Sequence, residues 1–162
     1  MPSASPSQAP QVAVRSPAET MLTDAEVGLP RTASLDHLGY EQAARDEPDE
    51  VVALRAFEAA AWADASRRSW SGPSGSLVAL VVQSDRAEGA QRLYEYLAEG
   101  AARSPLAASD CRATTGLDQC LSGSAAGHAV AAGRLGVDCF RLEGDPASVA
   151  RALPLLSARL RA

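Results

Sequence analysis

Lysine is missing altogether: all 15 basic residues are arginine, set against 20 acidic ones, for a formal net charge of −5. That balance argues against a nucleic-acid partner, because phosphate binding draws most of its affinity from clustered Lys and Arg. The arginines are scattered, with Arg67–Arg68 the only adjacent pair, and aromatics make up just 4% of the chain, too few to stack bases. No apolar run reaches the length of about 18 residues that a membrane-spanning helix needs. The opening MPSASPSQAPQ has neither a charged n-region nor an apolar h-region, so no signal peptide is visible in it.

Large apolar side chains are scarce as well. The 46% hydrophobic content includes 34 alanines, and without them only about a quarter of the chain can build a core. Alanine buries little area, and the hydrophobic term scales with area at about 25 cal/mol per Å². The core must therefore be thin, with helix and sheet packed closer than usual. At 162 residues there is room for one ordinary domain and a tail. Abundant Ala without Lys is what GC-rich coding produces, and it says little about function.

Catalytic patterns are also missing. There is no G-x-S-x-G, G-x-G-x-x-G, P-loop, H-E-x-x-H or calcium-loop motif. The two histidines, His37 in the loop-like SLDHLGY and His128 at the start of a strand, have no nucleophile placed on a strained turn. The acids of RDEPDE (45–50) and LEGDP (142–146) are explained by the preference of helix N-termini for negative charge. No catalytic residue, cofactor or metal is expected.

What is present divides into a leader and a domain. Residues 1–18 are Pro, Ser, Ala and Gln with almost nothing apolar, so burial cannot offset their ordering entropy and a flexible tail is expected. Such a tail reads either as a native N-terminus or, the preferred reading, as a tether between an anchor upstream and a single domain over 19–162. In that domain Thr23 or Asp24 opens a short turn that Pro30 ends. DEVVALRAFEAAAWADASRRSW (49–70) has helical composition, but Trp62, Asp64, Ser66, Arg68 and Trp70 also alternate. SGPSG (71–75) and the β-rich SLVALVVQS (76–84) after it favour a helix from about Asp49, then a strand from about Phe57 to Trp70. A helix follows, with Asp85 and Glu88 as a capping pair and Ala90, Leu93, Tyr94, Leu97 and Ala101 on one face. Residues 104–127 look like loop with short extended pieces at most, and 128–142 a hairpin turning near Gly133–Gly136. A last helix starts with Asp145 at the cap and Pro146 at its first position, and Pro154 should kink or break it. The predicted fold class is α+β: an antiparallel sheet of about four strands with helices on one face, in the order helix–β–β–helix–β–β–helix.

MLTDAEVG (21–28), RAFEAAAWADASRRSW (55–70) and GSLVALVVQSDRAEGAQRLYEYL (75–97) together resemble actinobacterial cell-envelope lipoproteins and sensor-type domains. They are distantly similar to the extracellular sensor domain of a mycobacterial serine/threonine kinase, over roughly residues 19–145. The resemblance implies a secreted or membrane-tethered, extracytoplasmic domain that binds something and carries no reaction.

Cys111, Cys120 and Cys139 leave three readings. With His128 they could form a zinc site, although spacings of eight, seven and ten residues are wider than the usual close pairs. In a reducing cytoplasm they would be three free thiols. In an oxidising envelope a Cys111–Cys120 disulfide could staple a glycine-containing loop, the preferred reading, with Cys139 a buried thiol and Cys120–Cys139 the competing pairing. For binding, the expected surface is a groove between helix and sheet that includes Trp62, Arg67, Arg68 and Trp70. Apolar area beside fixed positive charge suits a small anionic or partly apolar ligand, or an envelope protein partner. The alternatives are an interaction module that pairs with a second copy as a homodimer, two tryptophans that merely fill the core, or a small cytoplasmic enzyme.

Overall fold

The structure is a computed structural model and describes residues 15–103 and 105–162. Two helical turns come first, α1 (Pro17–Thr20) and α2 (Asp24–Val27), each opened by a reciprocal capping pair, Ser16 with Glu19 and Thr23 with Glu26. Strand β1 (Arg31–Asp36) follows, then helices α3 (Tyr40–Arg45) and α4 (Glu50–Ala59), the latter capped by Asp49 on the Val52 amide. Strands β2 (Trp62–Gly72) and β3 (Gly75–Ser84) form a hairpin leading into α5 (Ala87–Ala102). After the short β4 (Ser109–Asp110) and α6 (Arg112–Thr115), strands β5 (Gln119–Ala125), β6 (His128–Leu135) and β7 (Asp138–Gly144) meander into α7 (Pro146–Arg161).

Among the described residues the strands make one seven-stranded antiparallel sheet in the order β1-β2-β3-β7-β6-β5-β4. This corrects the expectation of about four strands with helices on one face. The β2–β3 and β6–β7 hairpins match the two expected ones; β1, β4 and β5 are additional. Every residue of β1 (RTASLD) is exposed and β5 (QCLSGSA) is rich in small polar residues, so neither carries a strong apolar alternation. Helices cover both faces because the central strands are apolar on both. Along β3, Leu77, Ala79 and Val81 join one core with the α1–α2 segment and α7, while Leu80 and Val82 join the other with α3, α4 and α5.

Small residues let these layers close up. A Cβ at Gly89 would run into the carbonyl oxygen of Ala60, so α5 can sit against the end of α4 only with glycine there. One position later, the Ala90 carbonyl accepts a hydrogen bond from the Cys139 thiol at 3.0 Å.

Several local expectations are also revised. Phe57 lies in α4, not in the following strand, and β2 begins only at Trp62. Asp85 does not cap α5: Arg86 holds that position without a side-chain bond, and the Asp85 amide donates to the Ala61 carbonyl at 2.8 Å. Helix α7 runs unbroken through Pro154, whose ring faces solvent while Val149, Ala152 and Leu156 anchor the opposite side. There the lost N–H costs one hydrogen bond but no packing. Of the tail expected over 1–18, residues 1–14 lie outside the described residues, and Ser16–Ala18 belong to the capped start of α1.

Candidate functional site

Strand β2 carries the arginine pair and both tryptophans, and the structure sends them to different surroundings. Trp70 is fully buried in the core beneath α7, its indole N–H donating to Asp24 at 2.9 Å. Trp62 packs on the other core against Phe57, ring centroids 4.9 Å apart, and donates to the Leu38 carbonyl at 3.0 Å. Arg67 and Arg68, being neighbours on a strand, point to opposite faces. Arg68 stays on the Trp70 side and donates to the Leu22 carbonyl at 3.0 Å, which ties down the α1–α2 segment. Of the four, Arg67 lines a cavity.

That cavity is a groove of about 360 Å³ between the α3–α4 junction and the sheet. Ala43, Asp46, Glu47 and Pro48 form its wall; Arg67, Ser69, Val78, Leu80, Arg141 and Glu143 form its floor. The floor follows from register. Arg67 pairs with Leu80 and Leu80 with Arg141, making one cross-strand row, while Ser69, Val78 and Glu143 make the next on the same face. Leu80 thus separates two arginines held about 10 Å apart by the intervening strand.

Both guanidiniums are fixed by the wall. Arg67 pairs with Asp46 at 2.6 Å and Arg141 with Glu47 at 2.7 Å, and Arg141 also approaches Glu143 at 3.6 Å. The Glu47 side chain is 7% exposed, so Arg141 is the charge that makes its burial tolerable. Behind this pair lies Tyr96. Burial, with the Glu47 charge adding to it, pushes its phenol up to about 12, so it stays neutral throughout the physiological range.

At the far end of the sheet Cys111 and Cys120 are joined, their Cα atoms 5.0 Å apart, and Cys139 is a free, buried thiol. Cys120 belongs to the core under α7 and Cys139 to the one under α5, so the sheet separates them. Burial raises the Cys139 thiol to about 12. Among the described residues no group of three or more His, Cys, Asp or Glu side chains could hold a metal ion. His37 is exposed, with φ +54° and its Nδ1 3.3 Å from Asp64, and His128 is exposed at the start of β6. No helix among the described residues is long and apolar enough to cross a membrane.

Asp46, Glu47, Val78, Arg141 and Glu143 were not among the expected site residues. Of the acids read as helix-start charges, Asp49 and Glu50 open α4 and Asp145 caps α7, while Asp46, Glu47 and Glu143 line the groove. One signal was there to be read: Arg141 falls on the same strand face as the buried Cys139, where an arginine requires a carboxylate from elsewhere. No protein-family model matches the chain, and no curated protein matches its sequence.

Proposed function

We propose that the chain is a non-catalytic binding domain of a secreted or tethered extracytoplasmic protein, and that the groove at the α3–α4 junction is its ligand site. The observation that carries this reading is the seating of Val78, 38% exposed on the groove floor beside two arginines clamped in place by Asp46 and Glu47. Apolar side chains set beside immobilised polar groups supply the two kinds of contact that a small-molecule site combines. The ion pairs hold the walls before any ligand arrives, which lowers the ordering cost of binding. Cys111–Cys120 supports the oxidising compartment, where such bridges persist. Soaking crystals of the oxidised protein with a small-fragment set tests the site. Fragments gathered between Pro48 and Val78 support the reading; fragments that gather on other surfaces and leave this groove empty would sink it.

A second reading has one observation of its own. Strand β1 ends the sheet among the described residues and is exposed along its whole length. Its middle residues, Thr32 to Leu35, carry no charge, and an unprotected edge is a template for strand addition. Association through β1 would give a concentration-dependent dimer in sedimentation velocity that Ser34→Pro abolishes; a monomer at every concentration would eliminate it.

A further inference from the structure

The charges lining the groove do not cancel. Two guanidiniums, Arg67 and Arg141, share it with three carboxylates, Asp46, Glu47 and Glu143. Both positive groups and Glu47 are covered, with side chains 21%, 18% and 7% exposed, while Asp46 at 54% and Glu143 at 42% form the open rim. A ligand at the mouth therefore meets carboxylate oxygens first. Each ionised carboxylate offers about four lone-pair sites, more than its single arginine contact occupies.

An anion would face a different balance. To reach either guanidinium it must displace Asp46 or Glu47, and a displaced Glu47 would be left buried and unpaired, the costly way to break such a pair. A cation displaces nothing and adds the missing countercharge. The net charge of −5 attracts cations at longer range as well. Behind the charged rim Ala43, Pro48, Val78 and Leu80 offer an apolar lining with room for a short stem.

We infer that the groove takes an ammonium or guanidinium carried on a short aliphatic stem, the charge at the Asp46 and Glu143 rim and the stem on Val78. This rests on the groove being the ligand site, and it reverses the anionic preference that the sequence alone suggested. The same chemistry occurs in free amines and in Lys or Arg side chains of a peptide. The experiment is an amide-shift titration by NMR with three probes: n-pentylammonium, n-hexanoate and Nα-acetyl-lysine amide. Both cations should shift the Ser69, Val78 and Leu80 amides saturably, and Glu143→Gln should weaken them about two- to fivefold, the effect of one exposed charge pair. A blocked lysine that binds more tightly than the plain amine identifies a peptide source; the reverse identifies a free amine. If hexanoate moves those amides at lower concentration than the cations, the groove stands as the site and the charge inference falls. If no probe moves them, the groove reading falls with it.

Discussion

Trp62 and Trp70 stand eight residues apart on one strand, an even spacing, yet they point to opposite faces of the sheet. The cause is a bulge: Trp62 pairs with Ser84 but Asp64 with Gln83, so two steps along β2 match one along β3 and Ala63 is the extra residue. Strict alternation holds from Asp64 onward and fails before it. Both tryptophans consequently act as core residues. Trp70→Ala should cost about 3–5 kcal/mol, the range for emptying a buried aromatic site, and urea denaturation measures it. A loss below about 1 kcal/mol would mean that Trp70 is not the packed residue described here.

The two groove arginines should differ in their structural weight. Arg141→Ala strands Glu47 in a nearly buried position and should cost about 3 kcal/mol. Arg67→Ala releases Asp46 into water and should cost less than about 1 kcal/mol. The double variant Arg141→Ala with Glu47→Ala should recover part of the first loss, because it removes the orphaned charge. Chemical denaturation of wild type and the three variants measures these losses; equal losses for the two single variants would show that burial does not distinguish the pairs.

Acid should loosen the α1–α2 segment. Burial raises the pKa of Glu26, but hydrogen bonds from Thr23 and the charge of Arg159 outweigh it and hold the carboxyl below its ordinary 4.5. A group with a depressed folded pKa stabilises fully above its unfolded value and loses that contribution as pH falls through the folded one. Asp145, held low by its hydrogen bonds with Ser148 at the start of α7, acts in the same direction. Unfolding free energy should therefore drop between about pH 5 and pH 3. Glu26→Gln should lower stability at pH 7 and flatten that drop. Parallel pH profiles for wild type and variant would show that Glu26 contributes nothing.

Thiol counting tests the cysteine assignment. Without reductant the native protein should take up no iodoacetamide, because Cys139 is buried and its thiol, raised to about 12 by that burial, stays protonated. In urea one thiol should react, and after reduction all three. Replacing Cys111 and Cys120 by serine should cost about 3 kcal/mol on the chain-entropy account of a loop this short. Reaction of more than one thiol in urea before reduction would contradict the bridge.

Legibility in the sequence followed the range of the forces involved. Strand β3 announced itself because burial on two faces demands a continuous apolar run, and α7 because Asp145 and Pro146 mark its start within two residues. Both signals are local. Strand β1, at one edge of the sheet, and β5, next to the short β4 at the other, form from polar and small residues, and pairing with β2 and β6 makes them strands. The groove is less local still: Glu47 and Arg141 are 94 positions apart, and nothing near either residue names the other. Arg67 stood out because it sat beside tryptophans, although the groove it lines contains neither.

The most direct test of the account is a variant that fills the groove and spares the fold. Val78 is partly exposed on a strand, so Val78→Trp can be accommodated without touching either core, and its ring would cover the floor between Arg67 and Arg141. The measurement is the n-pentylammonium dissociation constant of wild type and variant, taken beside their melting temperatures. Affinity should fall at least tenfold, with the melting temperature shifted by no more than about 5 °C, equivalent to roughly 1 kcal/mol. Unchanged affinity in a folded Val78→Trp protein would contradict it.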